Sequence, residues 1–311
     1  MIFVRAFALT AGAFLALTMA VTAPATAQTS TATEKLNAYV GCINRLSSRA
    51  YDSRSRYFSW APKSGPTGKE RIIYGLYTIY DTKDCQQNVE AANALEPRDA
   101  ALEAAASAYV GAVTTLGPLP KEADDYYTQE NYKDDKMAKG RALHPKLVAA
   151  WDAFAAADKN LRAGVDGIND RRKAEQLAAI EAKDGRKAQY YIEALMIDAK
   201  RVLRTQTADT PDLAEITKAL AAYEATVTAL QAAADGNSGD RKVGSMFTSN
   251  AKSLLVTAKQ LMRRIRDKVP YTTGEKMMLT PSSAWMVEGS PGRLLRDYNQ
   301  LVDAYNRGGN I

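Results

Sequence analysis

The chain has one histidine, His144, and most of the side chains that could do chemistry with it lie between residues 124 and 147. Around it stand two pairs of adjacent aspartates, Asp124-Asp125 and Asp134-Asp135, with Tyr126, Tyr127, Tyr132 and Gly140. Imidazole and carboxylates together could ligate a metal, and imidazole alone could move a proton. Ligation needs its donors on one face. The aspartate pairs are ten residues apart, a rise of about 15 Å on a straight helix, whereas ligand bonds to one ion are about 2 to 2.6 Å long. Positions 140, 141, 147 and 148 hold glycine, arginine, leucine and valine, so His144 lacks the carboxylate at helical spacing that di-iron bundles use. A metal would need ligands from distant helices.

Nucleophilic catalysis meets the same limit, because a serine or cysteine nucleophile would have to share this one imidazole as its base. Neither cysteine sits in a nucleophile motif, no G-x-S-x-G elbow is present, and glycine-rich phosphate loops are absent. A carboxylate pair could act without histidine, but nothing singles one out among 35 acidic residues. No catalytic, metal-binding or cofactor-binding residue is therefore assigned, and no enzyme or cofactor is expected. Pro145 disfavours helical backbone at His144. A helix is expected to end or kink there, with Pro145 opening the next, and the tyrosines to bury their rings with hydroxyls at the surface. The segment reads as a structural or binding corner between helices.

The elements that must position this corner are helical throughout. Leu36, Tyr39, Ile43, Leu46, Ala50 and Tyr57 keep a three-four spacing along a first helix ending near Trp60. Pro62, Gly65 and Pro66 break it, and Thr67-Gly-Lys-Glu70 matches a capping box that predicts a second helix through Ile72, Leu76 and Ile79. A third helix spans about 98–116 and stops at Gly117-Pro118. Leu147, Trp151 and Phe154 mark the next, Gly164 and Gly167 punctuate the chain, and a long charged helix covers roughly 168–205. Pro211 suits a first helical position. Asp235–Gly239 reads as a loop, residues 271–290 as irregular, and Ser290-Pro291 as the start of a last helix. The predicted fold is all-α: an elongated antiparallel bundle over residues 34–306, or two bundles in tandem divided near 164–167 or 206–210, with a tail at 307–311.

Arg5, the uncharged apolar run from Ala6 to Val21, and Ala25-Thr-Ala27 predict a signal peptide of residues 1–27. The run is shorter than the roughly 20 residues of a membrane span, so no transmembrane anchor should remain after processing. A disordered leader, 28–33, would follow. The expected location is the periplasm or outside the cell. The net charge of +6 is spread over alternating signs, which fits solvated helices and not nucleic acid. The densest basic run, Lys259 to Lys268 with Arg263, Arg264 and Arg266, complements a helix C-terminus and is also the place for an anionic-surface contact. Cys42 and Cys85 are the only cysteines, and export makes oxidation the default. Cys42 lies 18 residues before Trp60 and Cys85 lies 17 after Gly68. On two antiparallel helices both stand about 26 Å from the turn, at equal height for a disulfide.

Tyr126-Tyr127, Tyr132, Asp134-Asp135, Lys139-Gly140, Leu143-His144 and Leu147, with Asn37-x-Tyr39 and Asn44, give the chain a resemblance over roughly 34–305. It resembles the bacterial envelope family of unknown function typified by the YiiG lipoprotein. The resemblance implies a helical envelope protein and carries over no catalytic residues; Gln28 stands where a lipid-anchored protein has its cysteine. The expected function is non-enzymatic binding of an envelope partner or ligand. The alternatives are a metal-handling bundle and a carboxylate-dependent hydrolase. The first is similar in character to the iron-linked imelysins, but Gly140, His144 and Leu147 do not match their G-x-H-x-x-E pattern.

Overall fold

The computed structural model describes residues 25–208, 210–235, 243–280 and 282–309. The protein is all-α, with no strand among the described residues. It divides into two compact units, one ending at Asp166 and one beginning at Gly167.

The first unit holds α1 (Ala25–Phe58), α2 (Thr82–Asn93), α3 (Ala100–Leu116), α4 (Pro118–Thr128) and the first part of α5 (Ala138–Asp184). The predicted stripe of α1 is its buried face: Leu36, Tyr39, Ile43, Leu46, Ala50 and Tyr57 are all enclosed. It meets Leu102, Tyr109 and Val113 of α3 and Leu147, Trp151, Phe154 and Leu161 of α5 in the core, each such side chain contributing about 1.5–3 kcal/mol by leaving water. Two polar ties fix the register. The Asp158 carboxylate, 3 % exposed, accepts from Ser47 Oγ at 2.7 Å, Tyr51 Oη at 3.0 Å and Arg162 Nε at 2.9 Å. The buried Lys35 ammonium donates to the carbonyls of Leu95 and Pro97 and to Glu103. Arg98 also donates to Glu103, and these bonds hold that carboxyl well below its usual range.

Several sequence expectations are corrected here. Residues 28–33 continue α1, because glutamine, threonine, serine and alanine do not stop a helix. The predicted signal peptide, 1–27, lies outside the described residues except for 25–27. No helix follows Thr67. The Glu70 carboxylate folds back on Thr67 N (2.7 Å), Thr67 Oγ1 (2.8 Å) and Gly68 N (2.8 Å), and Glu70's carboxyl is lowered because these donors outweigh its burial. Residues 72–81 then run without regular secondary structure. Arginines of α1 serve the unpaired carbonyls there: Arg49 Nε bonds Thr78 O at 3.0 Å and Arg56 Nε bonds Gly75 O at 2.7 Å. The same guanidiniums stand over the rings of Tyr77 and Tyr74, at 4.6 and 4.4 Å.

α3 ends at Leu116 as expected, and because Gly117 keeps helical dihedrals Pro118 opens α4 at once. Gly164 does not interrupt α5. A Cβ there would stand 2.9 Å from Leu102 Cδ1, so the glycine lets α3 and α5 approach. The charged segment expected over 168–205 breaks at Gly185, whose φ of 76° ends α5.

The second unit holds the rest of α5, then α6 (Ala188–Gln206), α7 (Leu213–Asp235), α8 (Ser245–Arg266), α9 (Thr273–Met278) and α10 (Pro291–Ala304). Leu195, Val202, Tyr223, Leu230, Phe247, Leu254, Leu294 and Leu301, from four of these helices, share one core. Asp212 caps α7, accepting from Ala214 N at 2.8 Å, so Pro211 precedes the helix and does not begin it. Apart from Asp235, the loop expected at 235–239 lies outside the described residues. Residues 271–290 are not wholly irregular, for Thr272 and Glu275 form a complete capping box on α9. Ser290 caps α10 as expected, accepting from Arg293 N. Of the predicted tail, residues through Gly309 form a π-helical turn and 310–311 lie outside the described residues.

Candidate functional site

The candidate corner sits between α4 and α5, and α5 begins at Ala138, seven residues before Pro145. Asp135 makes it. Its Oδ1 accepts from Ala138 N at 3.1 Å and from Tyr126 Oη at 2.7 Å, and its Oδ2 accepts from Lys139 N at 2.8 Å. The Lys139 amide first, then the Tyr126 hydroxyl, holds its carboxyl below the usual aspartate range. With these amides capped, α5 starts at Ala138 and runs through Pro145, giving up only the bond a residue there would donate to Arg141 O. Lys136 and Met137 take left-handed backbone, φ 52° and 68°, and the turn drives Met137 into the core. Asp134 and Tyr132 remain at the surface and half-buried respectively. Gly140 is needed for closeness: a Cβ would stand 2.5 Å from Met137 Sδ and 2.9 Å from the Tyr127 hydroxyl.

The tyrosine hydroxyls do not all reach water. Burial and the bond to Asp135 push Tyr126 up to about 12. Tyr127 Oη is enclosed with no hydrogen-bond partner among the described residues, and burial pushes it well above the phenol range. Its ring packs 4.9 Å from Trp60 and 6.5 Å from Tyr57. Tyr57 is the hub, also stacking on Trp151 at 5.6 Å and His144 at 5.8 Å.

His144 is therefore tied to α1 and the turn after it. Nε2 lies 3.2 Å from Lys63 O, which can only accept, so Nε2 carries the proton. Nδ1 then accepts from the Tyr57 hydroxyl at 2.9 Å. His144→Ala is expected to lower stability by about 1–3 kcal/mol, because a buried hydroxyl loses its acceptor, and to leave metal content unchanged. Denaturant unfolding with elemental analysis checks both; a stoichiometric metal lost with the imidazole overturns the assignment. Among the described residues no group of three His, Cys, Asp or Glu is placed to hold a metal ion.

Cys42 and Cys85 form a disulfide with Cα atoms 5.3 Å apart. Cys85 is in the first turn of α2, reached by the extended segment and not by a second long helix. The arginines at the end of α8 are engaged within the second unit. Arg264 pairs with Glu275 at 2.8 Å and lies 4.3 Å over the Tyr271 ring, and Arg266 pairs with Asp267 at 2.8 Å. Arg263 lines a polar cleft with Glu275 and Glu288.

A different feature has the form of a ligand site. In the second unit a cavity of about 340 Å³ is lined by the second part of α5, α6 and the end of α10. Met196, Ile197 and Val302 are apolar side chains in its lining, and Lys173, Lys200, Arg201 and Arg204 bring cations to it against one lining carboxylate, Asp170. Burial opposes charge on Asp170, but Arg204 at 2.6 Å and Lys200 at 3.4 Å outweigh it and lower its pKa. Arg201 reaches Asp198 at 3.8 Å, and Lys173 reaches the buried Glu193 at 3.4 Å. Tyr305, also in the lining, donates from Oη to Glu193 at 2.7 Å.

The family described as "Protein of unknown function (DUF3829)" matches residues 30–307. The chain belongs to this family. It is also 37% identical over 278 residues to the uncharacterized protein YiiG of Escherichia coli (strain K12), covering 88% of this chain and 78% of that one. No solved structure matches.

In this DUF3829 protein, sequence reasoning found the disulfide and missed the cavity. Its cations lie on a segment read as one solvated helix. The signal was there in Met196-Ile197 followed by Lys200, Arg201 and Arg204: an apolar pair and three cations within nine residues, on neighbouring turns of one helix.

Proposed function

We propose that the protein is an exported, non-enzymatic helical protein of the bacterial envelope that binds a ligand in the cavity of its second unit. The cavity carries this reading. Its volume of about 340 Å³ falls in the range of small-molecule sites, about 300–1,000 Å³, and its mixture of apolar surface with a few convergent polar groups is their usual composition. Export is supported by the Ala25-Thr-Ala27 pattern and by the disulfide, since oxidising compartments keep such bonds. Among the described residues no helix is long and apolar enough to cross a membrane. The enclosed Asp158 carboxylate of the first unit accepts three bonds inside the core, which suits a structural role and not hydrolysis.

Native mass spectrometry of protein taken from its own envelope tests both halves. The expected N-terminus is Gln28, and a small molecule should accompany the intact chain and leave on denaturation. Residues 1–27 retained in the membrane fraction would overturn export. A chain that carries no added mass and takes up none from envelope extract would overturn binding.

A further inference from the structure

Resting on that reading of the cavity, we propose that its ligand is a small anionic amphiphile: one carboxylate or phosphate head on a single apolar chain of about ten carbons. The chemistry of the walls selects it. Four cationic side chains and one carboxylate line the cavity, and the acids that pair with the remaining cations, Glu193 and Asp198, are not among the lining residues. The wall turned to a ligand is therefore positive.

Arg201 and Arg204 keep about half their side-chain surface in solvent, 54% and 44%. Ion pairs so exposed hold weakly, and the Arg201–Asp198 separation of 3.8 Å is loose, so an arriving anion can exchange with these partners at little cost. Guanidinium matches a carboxylate or phosphate with two parallel N–H bonds.

The apolar part of the lining sets the rest of the ligand. Met196, Ile197 and Val302 offer an aliphatic surface beside the rings of Tyr298 and Tyr305, and methionine adapts to a flexible chain. At about 340 Å³ the cavity stands near the lower bound of small-molecule sites, about 300–1,000 Å³. That suits a head group and a medium-length chain and is too small for a two-chain phospholipid.

Calorimetric titration of the mature full-length protein with decanoate, decyl phosphate and decanol tests this. Both anions are expected to bind at one per chain and at least tenfold more tightly than decanol, the tighter anion identifying the head. Arg201→Gln with Arg204→Gln should weaken the anions at least tenfold and leave decanol unchanged. Val302→Trp, which fills the apolar side, should remove all binding. Decanol equal to the anions overturns the anionic ligand and leaves the cavity reading standing. Anion binding unaltered by the arginine substitutions or by Val302→Trp overturns the site, and no saturable binding of any probe overturns both readings.

Discussion

Replacing Cys42 and Cys85 together with serine is expected to lower the unfolding free energy by about 4 kcal/mol. The disulfide closes a loop over a sequence separation of 43 residues, and constraining that loop in the unfolded chain removes entropy worth about 4 kcal/mol at 25 °C. The disulfide joins the only two cysteines of the chain, so the unmodified protein, denatured without reductant, should show no free thiol. The closed loop contains the extended segment 72–81, which has no ladder of its own and is held by Arg49 and Arg56. This segment should loosen first. Guanidinium unfolding followed by tryptophan fluorescence reads the effect through Trp60 and Trp151, both in the first unit. A double-serine protein whose midpoint matches the parent would show that the bond does not clamp this hairpin.

The pairing of these cysteines was legible in the sequence, but the path between them was not. Cys42 stands 16 residues before the end of α1, about 24 Å along the helix. A returning helix needs as many residues to regain that height, whereas extended chain rising about 3.3 Å per residue needs seven or eight. Either path brings Cys85 level with Cys42, so equal height did not distinguish them. Composition could have done so: Ile72-Ile-Tyr-Gly-Leu-Tyr-Thr-Ile-Tyr80 is rich in β-branched and aromatic residues that prefer extended backbone, with Gly75 in its middle. The Thr67–Glu70 match misled because a capping box needs the threonine hydroxyl as acceptor for the third amide. At Thr272 it accepts from Glu275 N at 3.2 Å; at Thr67 the hydroxyl donates to Glu70 instead.

The corner shows the same division between what periodicity carries and what it hides. The buried stripes of α1, α3 and α5 follow from three-four spacing because a core rewards that spacing directly. The start of α5 depends on one carboxylate, Asp135, capping two amides three and four residues on and held by the Tyr126 hydroxyl, an arrangement that spacing of apolar residues does not report. The cavity was hidden for a related reason. It is assembled from three helices, and no single stretch carries both its cations and its full apolar lining.

Trp151→Ala is expected to destabilise the protein by about 3–5 kcal/mol, the usual loss when a large aromatic side chain leaves a packed core. Trp151 is 1% exposed and touches both rings at the end of α1, Tyr57 at 5.6 Å and Phe58 at 6.1 Å. Its removal empties the contact that holds α5 against α1, and the neighbouring rings are too constrained to close the gap. Tyr57 is bound to His144 and packed against the rings of Trp60 and Tyr127. Trp151→Phe gives the sharper comparison. The indole Nε1 is enclosed with no hydrogen-bond partner among the described residues, and a buried unsatisfied donor costs about 1–3 kcal/mol. Phenylalanine gives up part of the ring's packing but also removes that donor, so its net loss should stay under about 1.5 kcal/mol. Chemical unfolding of both variants beside the parent decides the matter. A phenylalanine substitution as damaging as alanine would mean that the indole N–H makes a bond worth keeping, and that the aromatic cluster around Tyr57 holds a polar partner at its centre.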